Sequence, residues 1–325
     1  MKMNFNFNEL PGNGMPKLIP NFICLLALLP ALAACGGGST PASSQPGKLN
    51  VVATTTLVGD VVQNIGGDAI QLSVLLPAGA DVHSFQPTPQ DVAKIADADV
   101  VFANGAGLET FLQPMLQNAG SQAPIVSVSD GVKLLSAPDL HTSGPAEDNS
   151  GGDPHTWFDP NNVILWSQTI ANELSKLDPA HTQSYNANAQ KYQAQLKDLD
   201  AWIRDQVSQL PEADRQLVTD HDSFTYFADR YGFKLVGAVI PGYNTLAEPS
   251  AQDLANLEDT IRKLGVKAIF VGETANPALA ERVTQDTGIR LVTLYNASLS
   301  QPDGPAATYL DFMRYNVNAI LKALK

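Results

Sequence analysis

Residues 179–210 read PAHTQSYNANAQKYQAQLKDLDAWIRDQVSQL. After the opening proline this stretch contains no Pro or Gly, and it is rich in the helix formers Ala, Gln, Lys and Leu. Its apolar positions Tyr185, Ala189, Tyr192, Leu196, Leu199 and Ile203 recur at spacings of three and four, which is the stripe of an amphipathic helix. The spacing predicts one helix of roughly 28 residues, about 42 Å long at 1.5 Å per residue, enough to cross a whole domain.

On the N-terminal side the pattern is different. Lys48–Leu57 (KLNVVATTTL) reads as a β-branched strand, Leu72–Leu76 as a second strand ended by Pro77, Asp99–Ala103 as a third and Ile125–Val128 as a fourth. Helical stretches at Asp60–Ile65 and Asp91–Ala98 lie between them, and a helix over Asn161–Leu177 follows a polar loop from Leu134 to Pro154. A loop of that length with no pattern of its own is a functional or mobile segment. After the long helix the alternation restarts. Strands are expected at Leu217–Thr219, Lys234–Val239, Ala268–Val271 and Arg290–Leu294, with helices over Ser250–Leu264, Pro277–Thr287 and Tyr309–Leu324. Strands alternating with helices imply parallel βαβ units. The fold class is therefore α/β, with two Rossmann-like lobes (49–178 and 211–325) joined by one rigid helix (179–210).

The chain has 325 residues and a net charge of −13, which argues against a nucleic-acid partner. Its two cysteines, Cys24 and Cys35, both lie near the N-terminus, so a transition-metal site in the body must use His, Asp or Glu. A short basic start at Met15–Lys17 precedes an apolar run from Phe22 to Ala34, which ends in Leu32-Ala33-Ala34-Cys35 and a Gly/Ser/Pro-rich linker. That arrangement resembles a bacterial lipobox. It implies a signal peptide over 1–34, lipidation of the Cys35 sulfur and a flexible tether over 35–48. Met1–Gly14 lacks signal character, which leaves Met15 as an alternative start.

Five histidines are present, and three stand at expected strand-to-helix junctions. His83 lies in PAGADVHSFQPTPQD after the second strand, His155 in GGDPHTWFDP at the end of the long loop, and His221 in LVTDHDSFTYFADRYG after the first strand of the second lobe. Ligands in open α/β sheets bind outside the carboxyl ends of strands, so the three are placed to converge on a cleft between lobes. Neutral imidazole is a good zinc ligand. Asp153 and Asp159 flank His155 as groups able to orient it. The plainer alternatives are a surface loop for His83, a polar loop stapled to the next helix for His155, and a cap by Asp222 or Ser223 at His221.

Taken in order, PAGADVHSFQPTPQD, DPHTWFDP, HDSFTYFADRYG, AEPS and TYLDFMRYNV resemble the metal-binding proteins of bacterial zinc and manganese ABC importers, a family that includes adhesin lipoproteins. The resemblance covers about residues 49–325. It implies metal held between the lobes, with ligands at His83, His155 and His221. A third His is typical of zinc members and a carboxylate of manganese members, in line with ligand chemistry. Many members of that family carry a fourth ligand, Asp, after the last strand, where this chain has Ala297. Glu273, in FVGETANP at a strand's carboxyl end, is the favoured replacement, with Asp303 or water as alternatives. The loop that is His-rich in many zinc members is short here, with only His141 and the carboxylates Asp139, Glu147, Asp148 and Asp153.

The function implied is extracytoplasmic capture of a divalent transition metal, zinc favoured over manganese, by a lipid-anchored monomer without catalytic activity. Its partners would be an ABC permease and ATPase. The alternatives are an adhesin, and a zinc hydrolase that uses an open fourth position. No HExxH-type motif supports the hydrolase.

Overall fold

The computed structural model of the chain describes residues 47–136 and 151–325. The signal segment, Cys35 and most of the tether lie outside these residues, as do His141, Asp139, Glu147 and Asp148 of the long loop. No helix among the described residues is long and apolar enough to cross a membrane.

The first half builds a parallel four-stranded sheet from β1 (Leu49–Ala53), β2 (Ile70–Val74), β3 (Val100–Ala103) and β4 (Ile125–Ser127), in the spatial order β2-β1-β3-β4. Val51 pairs with Leu72 on one side and Val100 on the other. The second half repeats this plan with β5 (Gln216–Thr219), β6 (Lys234–Ala238), β7 (Ala268–Gly272) and β8 (Arg290–Leu294), ordered β6-β5-β7-β8 and also all parallel. Every residue of β3 and of β7 is buried. Strands covered on both faces need such unbroken apolar runs. In each sheet the chain order reverses beside the first strand, which opens a crevice at the strands' carboxyl ends.

Helices α1 (Thr56–Gly66), α2 (Pro89–Ala96), α3 (Leu112–Ala119) and α4 (Pro160–Leu177) accompany the first sheet. Helices α6 (Thr225–Tyr231), α7 (Ala251–Leu264), α8 (Ala278–Thr287) and α9 (Tyr309–Leu324) accompany the second. Local signals set their ends. The Thr88–Asp91 and Ser250–Asp253 capping boxes start α2 and α7, and Asp159 caps α4 ahead of Pro160. The first strand stops at Ala53, short of Leu57, because Thr55 accepts the Val58 N–H and starts α1. Helix α3 has no counterpart in the sequence reading, since Pro114 breaks its apparent pattern while occupying a position in its first turn.

Between the sheets runs α5 (Thr182–Ser208), 27 residues long. Its buried face is Tyr185, Ala189, Tyr192, Leu196, Leu199, Ile203 and Val207. It packs on α4 and α1 from the first half and on α9 and α6 from the second. One hydrophobic core is continuous from Val51 and Val101 through Leu196 to Phe312, and a smaller one around Val218, Ile261 and Ile269 lies under the second sheet. The lobes therefore share a core along α5, and parting them would expose apolar surface at about 25 cal/mol per Å².

Candidate metal centre

Three loops bring the chemistry together. The first leaves β2 and carries His83. Asp81 organises it: its Oδ1 accepts the His83 N–H at 3.0 Å, and its Oδ2 accepts the Ser84 hydroxyl at 3.0 Å and the Thr245 hydroxyl at 2.8 Å. Thr245 belongs to the second lobe, so one carboxylate ties the loop both to itself and across the cleft. The Gly79 N–H donates to Ser298 Oγ at 2.9 Å, a second crossing.

The second loop carries His155. Asp153 Oδ1 accepts both the His155 N–H (2.8 Å) and Nδ1 (2.7 Å). Asn104 Nδ2 holds the Pro154 carbonyl at 2.9 Å, and the Tyr226 hydroxyl donates to the Asp153 carbonyl at 2.7 Å. Trp157 stands edge-on to the imidazole with ring centroids 5.1 Å apart, and its indole N–H reaches the Asn296 carbonyl of the other lobe at 2.9 Å. Phe158 stacks on Phe224 at 4.2 Å. Asp159, the other flanking carboxylate, does not orient His155. It is spent on the α4 cap and on Arg230, 3.6 Å away.

The third loop leaves β5. Asp220 Oδ1 accepts the His221 N–H (2.8 Å) and Nδ1 (3.0 Å), and its Oδ2 accepts the Gly272 N–H at 2.8 Å. Gly272 is required there. A Cβ would lie 2.8 Å from the Asn296 Cβ and 3.1 Å from Asp220 Oδ2. The capping alternative for this segment does not hold: Phe224 stands at the N-cap of α6 with no side-chain cap, and Asp222 accepts the Gly242 N–H at 3.0 Å.

An imidazole whose Nδ1 faces a carboxylate carries its proton on that nitrogen and presents the Nε2 lone pair. Those Nε2 atoms converge. His155 Nε2 is 3.4 Å from His83 Nε2 and 3.3 Å from His221 Nε2. Among the described residues, His83, His155 and His221 are the group of potential ligands whose donor atoms all fall within 4.8 Å of one another. His155 and His221 are buried and His83 is partly exposed.

Electrostatics keeps most of this cluster neutral. Burial, then the neighbouring His155 and His221, push the His83 pKa down to about 3. Burial and His221 hold His155 well below its ordinary value. Burial also opposes the charged form of His221, but the Asp220 carboxylate, with Asp222 and Asp81 beyond it, outweighs that and raises the pKa. Proton competition thus falls mainly on one ring of the three.

The fourth-ligand candidates do not join the trio. Glu273 turns Oε2 to the Asn296 N–H at 2.9 Å and lines a separate cavity with Ala78, Gly79 and Tyr295. Burial there pushes its pKa up to about 7. Its place after β7 is as expected, but the Asn296 amide at the end of β8 captures the carboxylate. Asp303 is exposed on its loop, and Ala297 is buried with no donor atom. Sequence reasoning missed the parts played by Asp81, Asn104, Asn296 and Thr245. The Asp two residues before His83 repeats the Asp153–His155 spacing, and that was a usable signal. The Thr245 crossing has none.

The chain matches the protein family described as "ZnuA: Zinc-uptake complex component A periplasmic" over residues 51–323. It is 32% identical over 311 residues to the manganese-binding lipoprotein MntA of Halalkalibacterium halodurans, covering 95% of this chain and 99% of that protein. It is 33% identical over 276 residues to the iron-binding protein YfeA of Yersinia pestis, covering 85% and 86%. The structure resembles the periplasmic zinc binding protein TroA of Treponema pallidum with a TM-score of 0.76 at 28% identity, covering 86% of this chain and 99% of that one. It also resembles the Mn-bound periplasmic metal binding protein of Candidatus Liberibacter asiaticus, with a TM-score of 0.73 at 28% identity and coverage of 85% and 99%.

Proposed function

Because the chain belongs to the family of periplasmic zinc-uptake component A proteins, we propose that it captures a divalent transition metal outside the cytoplasm and delivers it to an ABC importer. The carrying observation is the convergence of three Nε2 atoms, two of them aimed by carboxylates on the opposite ring nitrogen. His83, His155 and His221 are the ligands in this reading. The metal is cargo: its binding releases protons and its delivery reverses the step.

Zinc is the favoured cargo. The separations of 3.3 and 3.4 Å are short enough for one ion to be shared by the three rings. An all-imidazole set also suits zinc better than manganese. Manganese stays as the second reading because a close relative is named for it. Relatives named as lipoproteins support anchoring through Cys35 and docking on a permease–ATPase complex.

The shared core along α5 supports metal exchange by local loop movement, with lobes 49–178 and 211–325 held by helix 179–210. Asp153 and Asp220 each face an imidazole Nδ1, the place of a group that orients a metal ligand. Native mass spectrometry with element analysis tests the assignment. One zinc per chain is expected, lost in His155→Ala and His221→Ala. Unchanged stoichiometry in both variants would reject it.

A further inference from the structure

The three rings of the cluster are not held alike. Asp153 faces the Nδ1 of His155 at 2.7 Å, and Asp220 faces that of His221 at 3.0 Å. Among the described residues no carboxylate meets the Nδ1 of His83. His155 and His221 are sealed, with exposures of 0% and 2%, while His83 is partly exposed. What holds His83 is its backbone, whose N–H donates to Asp81 Oδ1 at 3.0 Å. The ring with the least support is also the one nearest solvent.

Asp81 is itself held from the other lobe. The Thr245 hydroxyl donates to its Oδ2 at 2.8 Å. The Ser84 hydroxyl shares that oxygen at 3.0 Å, but Ser84 belongs to the His83 loop and moves with it. Thr245 does not. It stands on the loop after β6, whose root is moored beside the third ligand: the Asp222 N–H donates to the Gly242 carbonyl at 2.9 Å, and Asp222 Oδ2 accepts the Gly242 N–H at 3.0 Å. Asn244 Oδ1 then accepts the Leu246 N–H at 2.8 Å, a side-chain turn that fixes the backbone at Thr245. A path of backbone and hydrogen bonds thus runs from the residue next to His221, through Gly242 and Thr245, to Asp81 and the His83 N–H. The other crossing, Gly79 to Ser298, lies at the root of the His83 loop and fixes where it leaves β2.

We infer that Thr245 is a positioning residue of the metal centre: acting across the cleft through Asp81, it sets how long the His83 ring stays on the ion. This rests on the metal-binding reading above. When the Thr245–Asp81 bond opens, the His83 loop keeps only its own contacts beside the ligand. His83 then leaves the ion first, while His155 and His221 stay aimed by their carboxylates. Such an opening is a local event and leaves the core shared along α5 intact.

The test uses the full chain loaded with zinc and mixed with excess chelator, so that the release rate is read directly. Thr245→Val keeps the side-chain shape and removes the hydroxyl. It should release zinc about tenfold faster, the lower end of the range for a group that supports a ligand. Thr245→Ser restores the hydroxyl and should release at the wild-type rate. Ser84→Ala removes a bond to the same oxygen without crossing the cleft, and should change the rate by about twofold at most. Hydrogen exchange in the metal-free protein separates positioning from general loosening. In Thr245→Val the His83 amide should exchange faster, while the His155 amide, held by Asp153, keeps its wild-type rate. Wild-type release from Thr245→Val, fast release from Thr245→Ser, or equal acceleration by Ser84→Ala would overturn the proposal, as would faster exchange at both amides. Failure of zinc to bind the wild-type chain at all would overturn the metal-binding reading instead.

Discussion

Replacing Asp220 by Asn should separate the aim of the His221 ligand from the stability of the fold. Asp220 receives four N–H groups: the backbone and Nδ1 of His221 and, at 3.5 Å, the Asn296 amide on Oδ1, and Gly272 on Oδ2. Burial works against its charge, but His221 and these donors hold the carboxyl below the usual range, so it is an anion at neutral pH. Asn offers one acceptor oxygen. If that oxygen faces His221, the amide NH₂ opposes the Gly272 N–H, and a buried donor left unmet costs about 1–3 kcal/mol of stability. If the amide turns over, NH₂ faces His221 Nδ1 and drives the ring proton onto Nε2, where the metal must bind. Loss of such a supporting group lowers metal affinity 10- to 100-fold, or about 1.4–2.8 kcal/mol. Chelator competition measures the affinity and urea unfolding of metal-free protein measures the stability. An Asp220→Asn variant that keeps both the wild-type zinc affinity and the wild-type stability would refute the claim that this carboxylate holds the ring's tautomer and the Gly272 N–H together.

Acid should weaken zinc binding with a slope of about one log unit per pH unit once pH falls below the raised pKa of His221, because one proton competes for one ring. His83, lowered to about 3, and His155 add nothing in that range, and a slope of two or three in a pH series of competition assays would contradict this. Asp60→Asn should stabilise the protein at pH 7.5 by about 1–3 kcal/mol and leave it unchanged near pH 3.5. Burial raises the folded pKa of Asp60 from 3.8 to about 6, so its stabilising contribution is complete below pH 3.8 and lost as pH rises through 6; denaturation at the two pH values checks the sign. Gly272→Ala should cost about 1–3 kcal/mol in thermal unfolding and also weaken zinc binding, because the added methyl presses on Asn296 and Asp220.

The fold was legible where burial follows period. Six of the seven residues on the buried face of α5 were visible as a stripe, and β8 and α9 run as expected because turn and cap signals bound them. Helix α3 was not, because Pro114 reads as a break when it stands in a helix's first turn. Within the site, position along the chain placed Glu273 at the correct end of β7. It carried no information about where its carboxylate turns, which depends on an amide 23 residues further on. The Thr245–Asp81 bond joins residues 164 apart, and neither has a local signature for it.

The placement of Trp157 has an optical consequence. The chain has three tryptophans, and one indole lies 5.1 Å from the His155 ring, clamped by its own N–H to Asn296. Emission from that ring is exposed to whatever occupies the cluster, and a paramagnetic ion there would quench it strongly while zinc would not. Arrival and departure of a paramagnetic ion can therefore be followed in unlabelled protein by intrinsic fluorescence, and zinc can be followed by the quencher it displaces.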